Sequence, residues 1–253
     1  MRRLLVATVL ALSSTSAQSA EIVMAVGRSL PPYVIPGEWK GLEYDVVREA
    51  LALEGHVVRP RLTTFARLVK ELESGLVDAA MTMRRDSGAD ACYSDTHITY
   101  HNVAVTLARR DLRIDSPADL AGKAVLAFQN AGLYLGEAYR TATANNPAYR
   151  EEAKQSLQPL LLFAQRTDVV VADRFIFGWF AASPEVTNKV DTSQRVRLHA
   201  IFPPTDYHVA FHDKALCESF NRGLKRLKES GGYARITARY TPTLAVEEGG
   251  LSR

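Results

Sequence analysis

The chain has 253 residues, of which 47% are hydrophobic, and this is enough apolar material for one large core or two modest ones. Lysine and arginine together number 31 against 28 acidic residues, which gives a formal net charge of only +3. Because the sequence also contains no basic run, its charge balance argues against nucleic acid as a partner.

The first twenty residues have the pattern of a secretory signal peptide. Arg2 and Arg3 precede an apolar run at residues 4–12, and small side chains follow as far as Ala20. The apolar run is too short to span a bilayer. Removing Arg2 and Arg3 from the 31 basic residues leaves 29 against 28 acidic ones. We therefore expect an exported mature protein that is soluble and nearly neutral.

The rest of the chain alternates β patterns with amphipathic helical patterns. This order favours an α/β fold with mixed or parallel sheets and crossover helices. Helical spacing of apolar residues predicts helices at 42–53, 65–73 and 133–144, and two more on either side of Gly231-Gly232. Strands are expected at residues 21–27, 57–62, 77–83, 102–108, 124–128 and 169–172.

The sequence contains two cysteines, Cys92 and Cys217. In an oxidising compartment an even count permits one disulfide, which would stabilise by roughly 4 kcal/mol in the entropic model because the closed loop is long. The sequence does not show that the thiols are close, and Cys217 fits the apolar face of a C-terminal helix. We therefore expect two separate buried thiols, with a disulfide as the alternative.

Several sequence motifs together resemble those of a known family. Residues 41–78 read GLEYDVVREALALEGHVVRPRLTTFARLVKELESGLVD, a Gly-acid-x-Asp turn and helix, an extended segment, and a second helix before an Asp and a strand. Residues 116–123 read SPADLAGK, and residues 167–175 read TDVVVADRF. This order resembles the periplasmic solute-binding proteins of family 3, the polar amino-acid type. The resemblance covers nearly all of the chain after residue 20.

The resemblance implies an α/β fold of the type II periplasmic binding protein kind, with two lobes joined by a two-segment hinge. Lobe one would comprise residues 21–107 plus 203–243, and lobe two residues 108–202. Residues 244–253 are expected to form a flexible tail. Ligand would bring the lobes together about hinge segments near residues 107–110 and 198–204.

For function, the resemblance implies a periplasmic, monomeric protein that captures an amino acid or related carboxylate for an inner-membrane ABC permease. No cofactor, metal ion or catalytic residue is expected, because the sequence lacks the motifs of triad hydrolases and phosphate-binding loops. His97 and His101 lack a clear third metal ligand. Two alternatives stay open: a periplasmic dehydratase of the cyclohexadienyl type on the same fold, and a sensor or accessory ligand-binding subunit.

The family pattern assigns four positions of this chain to the ligand, and a fifth residue, Glu43, is a candidate from its place at a helix start. Tyr33 would stack on it, with covering of the lobe edge as the alternative role, and Phe65 would contact it or pack in the core. Thr82 would offer a hydroxyl, and Glu43 could point at the cleft. Asp173 would accept an ammonium group, its alternative role being the N-cap of the following helix.

The sequence departs from the family pattern at the carboxylate site. Ser87 stands where counting back from Tyr93-Ser94-Asp95 expects the arginine that binds a carboxylate bidentately. In the second lobe, the hydroxyl residue expected at the helix after residues 124–128 is absent, although the amides of the helix start remain. The side chains that could replace these groups are Arg67, Arg84, Arg85, Gln129 and Asn130, with Arg84 ranked first among the arginines.

Overall fold

The computed structural model describes residues 19–27, 30–35, 37–241 and 246. The predicted signal peptide lies outside this part of the chain apart from residues 19 and 20, and the predicted tail lies outside it apart from residue 246. Both therefore stay predictions. Within the described residues, no helix is long and apolar enough to cross a membrane.

The strands are short, and most coincide with the predicted ones. Strand β9 is buried along its whole length, as expected of an apolar run that is covered on both faces. Within the described residues the strands are β1 Glu21–Gly27, β2 Val57–Thr63, β3 Ala79–Met83, β4 Cys92–Tyr93, β5 Ile98–Tyr100, β6 Asn102–Leu107, β7 Val125–Phe128, β8 Tyr149–Glu152, β9 Val169–Asp173, β10 Val196–His199 and β11 Thr205–Phe211.

The helix predicted at residues 133–144 is divided in two, because Gly136 has a φ of +86° and ends the helical path. The segment predicted as a helix at 65–73 begins as a 3₁₀ turn, Phe65–Arg67. Within the described residues the α-helices are α1 Leu42–Ala52, α2 Leu68–Glu73, α3 Ala131–Tyr134, α4 Glu137–Ala144, α5 Leu157–Phe163, α6 Arg174–Ala181, α7 Pro184–Thr187, α8 Lys214–Glu229 and α9 Gly232–Tyr240.

Two sheets organise the described residues. The first has six strands in the order β2-β1-β3-β11-β4, with β5 also paired to β11, and the second has five in the order β10-β6-β9-β7-β8. In the first sheet β1 runs parallel to β2 and β3, and in the second β7 runs parallel to β8 and β9. Helices α1 to α5 lie in the connections between these parallel strands, where crossover connections usually contain a helix.

The chain crosses between the two sheets at residues 101 and 200–204. Strand β5 pairs with β11 in the first sheet, whereas β6 pairs with β9 and β10 in the second. The first crossing therefore lies at His101, earlier than the predicted boundary at residue 107 and the predicted hinge at 107–110. Strand propensity could not reveal this, because it does not show which sheet a strand joins. The second crossing, between β10 and β11, falls inside the predicted segment 198–204.

Helix α1 is central to the core of the first lobe. It buries Val46, Val47 and Leu51, and burying a valine or leucine side chain stabilises a fold by roughly 1.5–3 kcal/mol. Helix α8 packs closely across α1 at Gly223, where a Cβ would lie 2.0 Å from the carbonyl oxygen of Ala50. A side chain at this position would force the two helices apart.

Cys92 of β4 and Cys217 of α8 form a disulfide, with Cα atoms 6.1 Å apart. The expectation of two separate thiols is therefore wrong. Strand β4 pairs with β11 at Phe211, and β11 leads directly into α8, which brings Cys217 next to Cys92. The two cysteines are 125 residues apart in sequence, so only the strand pairing makes them neighbours.

Candidate ligand-binding site

Four of the predicted ligand residues, Tyr33, Glu43, Thr82 and Asp173, lie beside the first crossing between the sheets. Thr82 is the penultimate residue of β3, and Asp173 is the last residue of β9. Tyr33 lies in the loop after β1, while Tyr100 and His101 lead from one sheet into the other. The carboxyl ends of strands are where open α/β sheets hold their ligands.

The loop that carries Tyr33 also caps helix α1. The carbonyl oxygen of Tyr33 accepts hydrogen bonds from the amides of Glu43 at 3.1 Å and Tyr44 at 3.3 Å. Gly41 permits this approach, because a Cβ there would lie 2.2 Å from the same oxygen. The loop thus satisfies amides that a helix start leaves free, and it fixes the position of the Tyr33 side chain.

The Tyr33 ring connects the two lobes. It is buried and stacks on Tyr100, with ring centroids 3.8 Å apart and an interplanar angle of 16°. Its hydroxyl donates a hydrogen bond to Asp173 Oδ1 at 3.0 Å. Tyr33 and Tyr100 belong to the first lobe and Asp173 to the second, so this bond joins the lobes directly. Contact of Tyr33 with a ligand stays a prediction.

Asp173 is the N-cap of helix α6. Besides the Tyr33 hydroxyl, its Oδ1 accepts hydrogen bonds from the amides of Phe175 at 2.9 Å and Ile176 at 3.1 Å, and its Oδ2 accepts one from the amide of His101 at 2.8 Å. Burial raises the pKa of Asp173, while the hydrogen bonds oppose the rise. The capping role, the predicted alternative, is therefore present. A bond to a ligand ammonium stays a prediction.

Glu43 is the centre of a buried network inside the first lobe. Its Oε1 accepts a hydrogen bond from the Thr82 hydroxyl at 2.8 Å and lies 2.9 Å from His97 Nε2, and its Oε2 accepts one from the Tyr100 hydroxyl at 2.9 Å. Thr82 has a φ of +60°, a left-handed conformation that β-branched residues rarely adopt. The network holds the Glu43 carboxylate, which is 0% exposed, away from solvent.

Phe65 lies over the carboxyl end of β1. A Cβ at Gly27, the last residue of that strand, would come within 2.4 Å of the Phe65 ring, so the glycine provides the space in which the ring packs. The Phe65 side chain is 43% exposed. The ring therefore covers the strand end with one face and leaves part of its surface open. Its contact with a ligand stays a prediction.

All three predicted arginines have acceptors in the first lobe. Arg67 Nε lies 3.4 Å from Oε1 of the buried Glu71, within the same helical segment. Arg85 donates from Nη2 to the backbone carbonyl of Ser94 at 3.1 Å. Both guanidinium groups thus have acceptors in the protein, and a ligand would have to compete with them.

Arg84, ranked first by sequence, forms an ion pair with Asp86 in the adjacent turn. Ser87, which stands at the family's arginine position, helps to close this turn by accepting a hydrogen bond from the Arg84 amide at 2.9 Å. Burial is the main cause that raises the pKa of Tyr207, and the positive charge of Arg84 opposes this rise. Arg84 therefore lies near the aromatic residues but is already paired.

The helix start after β7 is occupied by a carboxylate of the protein. Glu151 accepts hydrogen bonds from the amides of Asn130 at 2.6 Å and Gly132 at 3.2 Å, and from the Tyr149 hydroxyl at 2.6 Å. Burial raises the pKa of Glu151, but these bonds outweigh burial and the pKa is lowered. The amides expected to remain for a ligand are thus satisfied. Gln129 and Asn130 form the turn into α3, and their ligand contacts stay predictions.

The sequence interpretation missed Arg174, the first residue of α6. Its guanidinium carbon lies 4.8 Å from the centroid of the Phe175 ring, and its Nε is buried without a hydrogen-bond partner among the described residues. It also missed Tyr100 and Tyr207, whose ring centroids are 4.6 Å apart. The available signal for Arg174 was its place directly after a strand-ending acid, which puts it at the same sheet edge.

Side chains from two α/β lobes thus meet around the crossing between their sheets, which is the architecture of a two-lobed binding protein. The chain belongs to family 3 of the bacterial extracellular solute-binding proteins, and the model of that family matches residues 22–243. No curated protein sequence matches the chain.

Three similar solved structures illustrate the roles found on this fold. The substrate binding protein of an amino acid ABC transporter is 18% identical, with a TM-score of 0.59 and coverage of 87% of this chain and 98% of the other. A histidine kinase sensor domain similar to periplasmic binding proteins is 19% identical, with a TM-score of 0.65 and coverage of 89% and 97%. The ancestral amino acid-binding protein AncCDT-1, described as a precursor of cyclohexadienyl dehydratase, is 17% identical, with a TM-score of 0.61 and coverage of 87% and 95%. These identities show the type II periplasmic binding fold alone.

Proposed function

We propose that this protein captures a small polar solute, an amino acid or a related carboxylate, in the periplasm and delivers it to an inner-membrane ABC permease. Membership of the solute-binding family supports the binding role. The permease partner is supported by the similar protein that is described as part of an amino acid ABC transporter. The signal-peptide pattern of residues 1–20 fits a periplasmic location.

The hydrogen bond between Tyr33 and Asp173 is the observation that carries this proposal. The family pattern assigns both residues to the ligand, and they come from different lobes. The rings of Tyr100 and Phe175 lie beside them, with centroids 3.8 and 6.3 Å from that of Tyr33. Aromatic faces with a few convergent polar groups suit a small ligand with polar ends. Opening of the lobes would break the bond and admit the ligand.

A second candidate is a dehydratase that uses Asp173 as a general acid. Burial raises the pKa of Asp173, which favours proton donation, and one similar structure is described as a precursor of cyclohexadienyl dehydratase. However, three backbone amides and the Tyr33 hydroxyl donate to Asp173, and such donors favour the ionised form. This arrangement supports binding more than catalysis. The sensor role rests on one similar structure alone.

A thermal-shift screen of amino acids, dicarboxylates and prephenate-like acids tests the proposal. Each compound that raises the melting temperature is then titrated by calorimetry and incubated with the protein in a turnover assay. Saturable binding without turnover is the expected result. Turnover of a prephenate-like acid would establish the dehydratase instead, and the absence of binding across the whole screen would contradict the proposed function.

A further inference from the structure

The two buried carboxylates beside the crossing already have protein partners on both oxygens. Asp173 accepts four hydrogen bonds, from three backbone amides and the Tyr33 hydroxyl. Glu43 lies within hydrogen-bond distance of Thr82, His97 and Tyr100, and it is 0% exposed. A ligand ammonium would have to displace these donors, and removing a charged group from water without a partner is unfavourable.

The backbone amides at the helix starts near the site also have hydrogen-bond acceptors within the protein. The carbonyl oxygen of Tyr33 accepts from the first amides of α1, Glu151 accepts from the amides at the start of α3, and Asp173 accepts from those of α6. The amide of Arg174 donates to the carbonyl oxygen of His101 at 3.0 Å. Helix amides, which often hold anions, are therefore committed to protein acceptors in this region.

Arg174 differs from the other cations of the site because its guanidinium has no acceptor among the described residues. Its Nε is buried and lacks a hydrogen-bond partner, and no described carboxylate lies within ion-pair distance. The group rests on the Phe175 ring at 4.8 Å, and the centroid of that ring lies 6.3 Å from that of Tyr33. Burial lowers the pKa of His101, and the nearby positive charge of Arg174 lowers it further. This charge therefore lies at the crossing between the lobes.

Resting on the proposed function, we propose that Arg174 binds the negative group of the ligand, and that the ligand is an organic acid without an ammonium group. A guanidinium can donate two parallel hydrogen bonds to one carboxylate, and stacking on Phe175 holds its plane in place. An α-amino acid would add a positive charge for which the site has no uncommitted carboxylate. The site should therefore select by charge, against zwitterions and in favour of simple anions.

Matched pairs of acids that differ only in the ammonium group test the selectivity. Succinate is compared with aspartate, glutarate with glutamate, and 3-phenylpropanoate with phenylalanine, each titrated into the wild-type protein by calorimetry. In at least one pair the acid without the ammonium should bind at least tenfold more tightly. Tighter binding of the amino acid in every pair that binds would overturn the inference while leaving the proposed function intact. If no compound binds, the proposed function fails and the inference fails with it.

Variants of Arg174 test its role against a matched control. Arg174→Gln should weaken binding of the preferred acid at least tenfold, and Arg174→Lys should weaken it less, because a point charge keeps the attraction but not the paired bonds. Arg166→Gln removes the same charge from an exposed position at the opposite end of β9 and should bind like the wild type. Wild-type affinity in both Arg174 variants would overturn the assignment.

The pKa of His101 provides a readout that does not depend on any ligand. In Arg174→Gln, loss of the neighbouring positive charge should raise this pKa toward its ordinary value of 6.5, as followed by NMR titration of the imidazole. Arg166→Gln should leave it unchanged. An unchanged pKa in Arg174→Gln would show that the guanidinium lies away from the crossing, which contradicts the proposed site.

Discussion

Replacing Tyr33 by phenylalanine removes the direct hydrogen bond between the lobes and little else. The change deletes the hydroxyl that donates to Asp173 at 3.0 Å. The ring can still stack on Tyr100, and the cap of α1 is made by the backbone carbonyl, which the substitution retains. Tyr33→Phe should therefore shift the equilibrium between closed and open lobes without unfolding either lobe.

The expected size of the shift follows from the partners of the bond. A hydrogen bond to a charged group contributes roughly 1.5–3 kcal/mol. Asp173 keeps three backbone donors after the change, so the loss should lie near the lower end, at about 1.5 kcal/mol. This corresponds to roughly a tenfold increase in the ratio of open to closed protein.

Pulsed electron resonance between spin labels on the two lobes measures this ratio. The exposed Lys225 of α8 and Lys189 after α7 carry the labels, and the ligand-free protein is compared with its variants. Tyr100→Phe is the matched control. It also deletes a tyrosine hydroxyl that donates to a buried carboxylate, but this carboxylate, Glu43, lies in the same lobe as Tyr100. The control should lower the free energy of unfolding and leave the distance distribution unchanged.

Two outcomes would refute this reasoning. If Tyr33→Phe gives the wild-type distance distribution, the bond does not hold the lobes together. If Tyr33→Phe and Tyr100→Phe change the distribution equally, the effect comes from the aromatic stack rather than from the contact between the lobes.

Two further predictions concern stability. Replacing Cys92 and Cys217 together by serine should lower the free energy of unfolding by about 2–5 kcal/mol, measured with denaturant, because the 125-residue separation is no longer constrained in the unfolded chain. Ligand affinity should hold, since both cysteines lie in the first lobe. His101, His199 and His208 have pKa values lowered from 6.5, in each case mainly by burial, so their neutral forms favour the folded state. The stability that these neutral histidines provide is present above pH 6.5, and it is lost as the pH falls through the lowered pKa values of the folded state. The melting temperature should therefore be lower near pH 5.5 than near pH 7.5. An equal melting temperature at both values would contradict this.

Local patterns in the sequence were sufficient for many of the elements and for the family. The buried strand β9 was visible as a continuous apolar run, and α1 as apolar residues at a helical spacing, because burial on two faces or on one stripe leaves a direct mark on composition. The order of these elements, with the phrases around them, was enough to predict a two-lobed α/β fold. The family resemblance also placed Asp173 at the end of a strand, and Asp173 is the last residue of β9.

Pairing between distant segments decided the rest. Strand β6 belongs to the second sheet, so the crossing between the sheets lies at His101. The pairing of β11 with β4 places Cys92 next to Cys217. The sequence likewise could not show that Tyr33 donates to Asp173, or that Arg84 is paired while Arg174 has no acceptor among the described residues. Hydrogen bonds and ion pairs depend on distances of a few ångströms between residues far apart in the chain. Only the packing of the two lobes sets those distances.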